Sequence, residues 1–440
     1  MHRPLRAAFG TRGLCRGAAV SKARLGPLAG VTVVDLTSVV LGPLATQILG
    51  DLGAEVIKVE PPEGDIMRYA GPARHREMGH VFLNLNRNKR SLVLDLKQPE
   101  AKSALLALVA KSDVFMHNMR PQAITRLGFD YERLRAVNPR LVYCAAYGYG
   151  QDGPLAARPA FDDIIQGASG FVALTMATSG EARFVPTLVG DKTVGLTMVY
   201  AVMAALLQRA RTGEGQCVEV PMLETMAAFV MAEHMGGLTF DPPLGPPGYA
   251  RMLAPDRRPH RTADGYICIL PYTDRHWKEF FRVAGRPDLV DDPRIADAET
   301  RARHFAELYA LVAECVRERP TAHWLAVLEA ADIPCGPVNP LAELPHDAQL
   351  AAVDFFPRVV HPSEGPIRIV RPPVKFGAAD CALRRPAPRL GEHSREILRE
   401  AGLGEAEIDD LLARGIAIAA PHPDPVPALW AQRESGEAEG

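Results

Sequence analysis

The chain has 440 residues, of which 47% are hydrophobic and 23% charged, and its formal net charge is -2. This balance is typical of a globular protein and excludes a fibrous or wholly disordered chain, while the near-zero charge gives no global field for nucleic acid or an anionic membrane. No uninterrupted apolar run approaches the ~18 residues needed to cross a bilayer. The seven cysteines are scattered without CxxC or Cys/His spacing, so neither disulfides nor a bound metal are predicted.

The N-terminal segment 1–26 is basic and contains no acidic residue. Such a composition suits a mitochondrial transit peptide, but Pro4 and several glycines weaken an amphipathic helix. We therefore favour a disordered leader or a start codon placed too early. The predicted location is the cytoplasm, with the mitochondrial matrix as the alternative.

Short β-rich segments alternate with helical segments from residue 28 to residue 148. Strands are predicted at 31–36, 54–60, 91–96, 113–118 and 140–148, and helices near 42–52 and 99–111. This alternation predicts an α/β fold whose large domain has a Rossmann-like, mainly parallel sheet. A long amphipathic helix from about Asp191 to Gln208 follows, and then a strand at CVEV (217–220).

The second half of the chain predicts a smaller α+β domain. Residues 240–265 are dense in proline and glycine, which is typical of a linker or mobile loop. A strand is predicted at 265–271 and another at 368–376, with helices near 274–283, 301–316 and 321–331 and two short helices close to the C-terminus. The predicted organisation is a leader (1–26), a large domain (27–225), a linker (226–262), a small domain (263–332), a part returning to the large domain (333–418) and a disordered tail (419–440).

A glycine-rich loop, Gly148-x-Gly150-x-x-Gly153, follows the predicted strand at 140–148. A dinucleotide fingerprint would need a helix opening at this point and an acidic residue about 20 positions later. Pro159 breaks any helix almost at once, and Asp162 comes too soon. A NAD-dependent dehydrogenase is therefore the weakest hypothesis, and the glycines are interpreted as a loop in which the backbone approaches another group closely.

Asp191 lies between an apolar stretch and the long predicted helix. One interpretation is a helix N-cap, because an aspartate there accepts hydrogen bonds from free backbone N–H groups. The functional interpretation uses the same geometry: the helix dipole and N–H donors would keep the carboxylate ionised and oriented, as a nucleophile or base requires.

Basic residues surround two successive predicted strands. Guanidinium groups at the carboxyl edge of a parallel sheet suit phosphates, although runs of charge are as often solvated faces. The residues concerned are Arg87, Lys89, Arg90, Lys97, Asn118, Arg120 and Arg126. A third group, Arg158, Phe161, Asp162 and Asp163, follows the glycine loop; there, Phe161 is interpreted first as a core residue and the paired aspartates as turn formers.

These motifs occur in the order found in a known family. The segments LAGVTVVDLTSVVLGPLATQILGDLGAEVIKVEPPEGDIMR, NRNKRSLVLDLK, FDYERLRAVNPRLVYCAAYGYGQDGP, RPAFDDIIQGASG, VGDKTVG and IPCGPV together resemble the class III (CaiB/BaiF) CoA-transferases, from about residue 27 to 418. The resemblance implies that Asp191 is the nucleophile that forms covalent intermediates with an acyl group and with CoA. It also implies an interlocked, ring-like homodimer, with CoA thioesters as substrates and no permanently bound cofactor.

The resemblance further implies which residues contact coenzyme A. Two positions depart from some family members: Pro61 replaces an arginine that reaches the nucleotide, and Val40 replaces a glutamine at the acyl site, so the acyl group is not expected to be formyl. Arg251, Arg257 and Arg258 are candidates to receive a second carboxylate, as in succinate. The implied contacts are Val40, Leu41, Leu94, Asp95, Leu96, Lys97, Asn118, Met119, Arg120, Arg126, Tyr149, Gly150, Arg158, Phe161 and Asp162.

Three alternatives stay open within this resemblance. An α-methylacyl-CoA racemase would need a histidine at the position of Phe161, and phenylalanine cannot exchange a proton. An intramolecular CoA-transferase would use the same residues. A non-catalytic acyl-CoA binding protein would keep the fold, but the intact Asp191 motif argues against it. The predicted reaction is CoA transfer from an acyl-CoA donor, with succinyl-CoA as a candidate, to a free carboxylic acid, without nucleic acid or membrane partners.

Overall fold

The computed structural model describes residues 25–420. All but two residues of the predicted leader 1–26, and all but two of the predicted tail 419–440, lie outside the described residues. The chain divides into two compact units. The first comprises Met1–Ala146, Gly195–Glu219 and Phe356–Gly440, so far as these are described, and the second comprises Tyr147–Val194 and Val220–Phe355.

Strands and helices alternate in the first part of the chain, as predicted. The strands are β1 (Thr32–Leu36), β2 (Glu55–Glu60), β3 (Lys89–Leu94), β4 (Val114–His117), β5 (Val142–Tyr147), β6 (Gln216–Pro221), β7 (His260–Arg261), β8 (Tyr266–Ile269), β9 (Cys335–Pro337), β10 (Arg358–His361), β11 (Gly365–Arg368) and β12 (Ala417–Ile418). The helices are α1 (Leu41–Asp51), α2 (His80–Leu85), α3 (Pro99–Val109), α4 (Pro121–Leu127), α5 (Tyr131–Val137), α6 (Asp162–Ala168), α7 (Phe171–Ser179), α8 (Val189–Thr212), α9 (Met222–His234), α10 (Asp274–Val283), α11 (Ala298–Val316), α12 (Thr321–Ala330), α13 (Ala348–Ala352), α14 (Ser394–Ala401) and α15 (Glu405–Ala413).

A seven-stranded sheet has the strand order β12-β3-β2-β1-β4-β5-β6. The pairs β1/β2, β1/β4, β2/β3 and β4/β5 are parallel, and β12 is antiparallel to β3. The central strands β1 and β4 are almost fully buried, as expected for parallel strands covered by helices on both faces. The predicted α/β fold with a large, mainly parallel sheet is confirmed.

The direction of progression along this sheet reverses at β1, because β2 lies on one side of it and β4 on the other. Ligands of open α/β sheets bind at such a switch point, outside the carboxyl ends of the strands. The loops that follow β1, β2, β3 and β4 are therefore the place in the first unit where a ligand is expected.

Two predictions of local structure are wrong. Of the predicted strand 368–376 only Arg368 is in a strand, because the chain forms the antiparallel hairpin β10/β11, which ends at that residue. Pro372 and Pro373 cannot donate the hydrogen bonds that a strand interior needs. Helix α8 begins at Val189, so Asp191 lies in its first turn and is not the predicted N-cap.

Helix α8 also corrects the prediction about membrane-spanning segments. Within the described part of the chain, this 24-residue helix is long and apolar enough to cross a bilayer, judged by length and composition alone. The sequence shows no uninterrupted apolar run here because Asp191, Lys192 and scattered threonines interrupt it. A core helix or a helix at a subunit interface passes the same test, so the length alone does not indicate a membrane protein.

The second unit contains a three-stranded antiparallel sheet in the order β7-β8-β9, together with α10, α11 and α12 at the predicted positions. Its core is aromatic: Trp277, Phe280, Tyr309 and Trp324 are buried together. Thr273 caps α10 by accepting a hydrogen bond from the backbone N–H of His276, which helps to fix this helix against the sheet.

Candidate active site

Asp191 is held close to Asp162 by a glycine. The backbone N–H of Asp191 donates to Asp162 Oδ1 at 2.9 Å. A side chain at Gly190 would place its Cβ 3.0 Å from the same oxygen, so only glycine fits there without displacing the carboxylate. The glycine of the VGDKTVG motif is thus explained by the approach of α8 to the first turn of α6.

The carboxyl group of Asp191 is nearly buried, with 8% of the residue exposed. Within residues 25–420 its oxygens accept no hydrogen bond. Burial first, and then the negative charges of Asp162 and Asp163, raise the pKa of Asp191 to about 7. The roughly 0.3–1 kcal/mol supplied by a helix dipole is smaller than the cost of desolvation beside two acids, so the helix N-terminus keeps this carboxylate only partly ionised at neutral pH.

Asp162 itself is fixed by hydrogen bonds on both oxygens. Its Oδ2 accepts from Gln166 Nε2 at 2.6 Å, and Gln166 Oε1 in turn accepts from the backbone N–H of Val185 at 3.0 Å. Asp162 and Asp163 begin α6 and are not turn formers. This network gives Asp191 a rigid, negatively charged neighbour, which is an arrangement that tunes the pKa of catalytic carboxylates.

The glycine loop approaches its own chain closely, as predicted. A Cβ at Gly148 would lie 2.5 Å from the Cβ of Ala160, and the Gly148 carbonyl accepts from Leu223 N at 3.1 Å. The backbone N–H of Gly150 donates to Glu224 Oε1 at 2.9 Å, so in this structure it is engaged by a side chain. Tyr149 is buried.

The two remaining predicted contacts of the second unit are exposed. Arg158 lies on the surface, and 68% of Phe161 is exposed, so the interpretation of Phe161 as a core residue is wrong.

In the first unit, a cavity of about 240 Å³ opens at the carboxyl ends of the parallel strands. It brings together predicted contacts that follow β3 and β4, namely the segment 94–97 and Met119, with Pro61 from the loop after β2. Lys97, Arg120 and Arg126 are exposed, and none of them forms a phosphate site on its own in this structure. The cavity lies where the order of successive strands in the sheet reverses, which is the position at which such folds bind nucleotides.

The loop that carries Val40 is held in an unusual conformation. Val39 has φ 72°, a left-handed conformation that is strained for a β-branched residue. Asn118 clamps the preceding residue, since Asn118 Oδ1 accepts from Ser38 N at 3.0 Å and Asn118 Nδ2 donates to Ser38 O at 2.9 Å. The side chain of Asn118 is thus committed to this loop, and what it orients is the start of α1 at Val40 and Leu41.

A buried ion pair completes this support. Asp65 Oδ1 accepts from Val39 N at 3.3 Å, and Asp65 Oδ2 accepts from Lys58 Nζ at 2.9 Å. Lys58 also donates to Thr37 O at 2.9 Å. Burial alone would lower the pKa of Lys58, but the carboxylates of Asp65 and Asp35 outweigh it and raise that pKa. Lys58 therefore stays charged and ties both ends of the loop together.

Lys58→Met is expected to lower the free energy of unfolding by roughly 3–5 kcal/mol, because it leaves the buried Asp65 charge without its partner. Urea unfolding followed by circular dichroism measures this loss. Lys278→Met is the matched control, since Lys278 pairs with Asp291 on the surface and should change little. Equal stability of the two variants would contradict the role given to Lys58.

His117 has a supporting role that no motif in the sequence indicated. It is fully buried at the end of β4, and burial lowers its pKa to about 3, so its ring is neutral. Its Nδ1 accepts from Met119 N at 3.2 Å, which places the proton on Nε2, 2.7 Å from Tyr143 Oη. His117 thereby orients the backbone at Met119 beside the cavity, and only its position directly before Asn118 could have suggested this.

Three of the predicted basic residues do not lie near the carboxyl edge of the sheet. Arg87, Lys89 and Arg90 are at the amino end of β3, where they form buried or half-buried ion pairs. Arg87 pairs with Asp51 at 2.6 Å and Lys89 with Asp35 at 3.1 Å. The interpretation of these three as phosphate ligands is wrong, because they lie at the amino end of the strand and their charges are taken up by carboxylates of the protein itself.

These features define an α/β protein with a desolvated carboxylate and a nucleotide-type cavity. The chain belongs to CoA-transferase family III, because the sequence model of that family matches residues 28–394. It is therefore an enzyme of the class that transfers CoA from an acyl-CoA donor to a carboxylate acceptor. The resemblance stated in the sequence analysis is confirmed.

Relatives with stated activities cover nearly the whole chain. The succinyl-CoA:glutarate CoA-transferase of Mus musculus is 33% identical over 94% of this chain and 96% of that protein. The formyl-CoA:oxalate CoA-transferase of Streptomyces avermitilis is 34% identical over 88% of this chain and 99% of that protein. The crystal structure of a CaiB/BaiF family protein from Brucella suis covers 86% of this chain and all of that chain, with 33% identity and a TM-score of 0.74.

Proposed function

We propose that this enzyme transfers CoA between carboxylic acids through covalent intermediates on Asp191. The observation that carries the proposal is the state of that side chain: nearly buried, without hydrogen-bond donors and with a pKa of about 7. A carboxylate that is largely desolvated and accepts no hydrogen bond within the described chain is a stronger nucleophile than one in water, and at neutral pH about half of it is ionised.

The proposed reaction has four balanced steps. The ionised Asp191 attacks the thioester carbonyl of the donor, giving a mixed anhydride and CoA thiolate. The thiolate attacks the Asp191 carbonyl, which forms an aspartyl-CoA thioester and releases the donor acid. The acceptor carboxylate then attacks this thioester, and the returning thiolate attacks the acceptor's carbonyl, which yields the new acyl-CoA and restores Asp191. Each step exchanges one activated acyl group for another, so no external energy source is required.

The proposed substrates are succinyl-CoA as donor and a small carboxylic acid, such as a dicarboxylic acid, as acceptor. The mouse relative is named for succinyl-CoA and glutarate. Val40 and Pro61 stand where some family members carry a glutamine and an arginine, which argues against a formyl group and shifts nucleotide binding to other cations. Lys97, Arg120 and Arg126 are exposed and are proposed to contact the phosphates.

The test is incubation of the full-length enzyme with succinyl-CoA and a panel of free acids, followed by separation of the CoA esters. We expect a new acyl-CoA to appear with at least one acid, in an amount equal to the succinate released. Absence of exchange with every acid, together with α-deuterium uptake by a 2-methylacyl-CoA in heavy water, would overturn the proposal in favour of a racemase.

We also propose that the enzyme is an interlocked homodimer. Helix α8 exposes apolar side chains at a spacing of three and four residues, which places them on one face. These are Leu196, Tyr200, Met203 and Leu207, each more than a third exposed, with Tyr200 at 65%. An apolar stripe of this length on a helix is what a second copy of the chain would bury, and it also explains why α8 is apolar enough to resemble a membrane span.

Light scattering after gel filtration is expected to give twice the chain mass of 47.7 kDa. The double variant Tyr200→Glu/Leu207→Glu should lose this dimer, since it places two charges in the buried face. Gln208→Glu adds a charge to the same helix outside the stripe and should leave the dimer intact. A monomeric wild type, or a double variant that remains dimeric, would contradict the proposal.

Interlocking has a separate consequence for subunit exchange. Rings that thread each other cannot separate without unfolding, so tagged and untagged dimers mixed in native buffer should form no hybrid dimers. Hybrids should appear only after the mixture is denatured and refolded. Exchange under native conditions would show that the two chains are not interlocked.

A further inference from the structure

The second unit contains a cavity of about 490 Å³ beside β8 and β9. Its walls combine apolar and basic side chains, and none of the described residues that line it is acidic. The lining includes Ile269, Leu270 and Pro334 on the apolar side, and Arg257, Arg258 and His260 on the basic side. Its size lies within the range of cavities that bind small organic molecules, roughly 300–1,000 Å³.

His260 is the unusual member of this lining. Only 3% of the residue is exposed, yet its Nδ1 has no hydrogen-bond partner within residues 25–420. Burial lowers the pKa of the ring, the charge of Arg258 lowers it further, and only Asp256 has a smaller opposing effect. A buried polar atom without a partner costs about 1–3 kcal/mol, and a ligand that accepts a hydrogen bond from Nδ1–H, after a shift of the groups that now close this atom off from solvent, would remove that cost.

The three arginines of this region differ in their environments. Arg251 is structural: its Nε donates to Tyr309 Oη at 3.1 Å, and its guanidinium lies over the rings of Tyr272 and Phe305. Arg258 pairs with Asp256 at 2.9 Å. Arg257 forms no ion pair within the described chain and lines the cavity, so a positive charge is available to a ligand there.

We propose that this cavity binds a small carboxylic acid, with its carboxylate against Arg257, Arg258 and His260 Nδ1 and its hydrocarbon part against Ile269, Leu270 and Pro334. A guanidinium beside a neutral imidazole donor suits a carboxylate, and the apolar walls suit a short hydrocarbon chain. The ligand belongs to the class of acid proposed above as the acceptor, but its binding requires no chemical step and can be tested whether or not the proposed function holds.

Two cysteines allow the site to be observed directly. Cys268 is exposed and lines the cavity, whereas Cys217 is exposed on β6 and does not line it. In the full-length Asp191→Ala variant, which cannot turn over, glutarate, succinate or butyrate should slow alkylation of Cys268 at least fivefold. Alkylation of Cys217 in the same sample should be unchanged, with both sites quantified by peptide mass spectrometry.

The double variant Arg257→Gln/Arg258→Gln should lose this protection, and Arg303→Gln, an exposed arginine of the same unit paired with Glu299, should keep it. The proposal is overturned if no acid protects Cys268, if the double variant is protected as well as its parent, or if only 3′,5′-adenosine bisphosphate protects, since that would indicate a phosphate site. Protection of Cys268 without any CoA transfer by the wild type would retain this site and reject the proposed function.

Discussion

Replacing Asp191 with alanine or asparagine is expected to lower the rate of CoA transfer at least about 10³-fold, because both variants lack the carboxylate that forms the covalent intermediates. Binding of the CoA thioester should persist, since the predicted nucleotide contacts lie on other residues. The rate is measured by separating the CoA esters, and binding by calorimetry with a non-reactive CoA thioether.

The control for the Asp191 variants is Asp291→Asn. Asp291 belongs to the same unit, and its side chain is 90% exposed in a surface pair with Lys278, so its loss removes one charge without touching the site. It should retain the wild-type rate. An Asp191→Asn variant that keeps more than about a tenth of the activity would show that the reaction does not require this carboxylate as a nucleophile.

The rate of transfer should fall steeply with acidity. With a pKa of about 7, Asp191 becomes protonated as the pH falls, and a protonated carboxyl is a poor nucleophile. The value of kcat/KM, which reports the free enzyme, should decrease about tenfold per pH unit below this point, so that at pH 5 it is about 100-fold below its alkaline plateau. A profile that is flat from pH 5 to 8 would contradict an essential Asp191 carboxylate with this pKa.

A neighbouring variant tests the cause of this pKa. Asp163 is exposed, and its charge contributes to raising the pKa of Asp191, after burial and Asp162. Asp163→Asn should therefore move the acidic limb of the profile to lower pH, whereas Asp291→Asn should leave it in place. The same raised pKa affects the stability of the fold. Because the pKa of Asp191 is higher in the folded state, its protonation stabilises the fold at acid pH, and this contribution is lost as the pH rises through about 7.

The parallel sheet could be predicted because its strands are short segments rich in β-branched residues and are bounded by helical segments. The hairpin β10/β11 could not, since its strands contain histidine, arginine, glycine and proline, and pair only through tertiary context. The start of α8 was misplaced for a similar reason. Asp191 has the composition of an N-cap, but Val189 and Gly190 join the helix because Asp162 accepts the N–H of Asp191 from another segment.

The nucleophile could be named from the order of motifs, but its electrostatic state could not. The raised pKa depends on burial and on two acids 28 and 29 residues away in the chain, a proximity that no local pattern encodes. The supporting role of Asn118 was equally hidden: an asparagine after a strand suggests a ligand contact, whereas here both ends of its amide bind the Ser38 backbone. The positions of Asp191 and Asn118 could be read from the sequence, whereas their electrostatic and supporting roles became evident only from the contacts that they make.

Passage of the acyl group through Asp191 can be followed with an acceptor acid labelled with oxygen-18 in its carboxylate. In the proposed reaction one acceptor oxygen remains on Asp191 in each turnover, so the peptide that contains Asp191 should gain about 2 Da after one turnover and about 4 Da after many. All other peptides should keep their masses. Complete CoA transfer with an unlabelled Asp191 peptide would contradict the account, because it would mean that the acyl group never passes through this carboxylate.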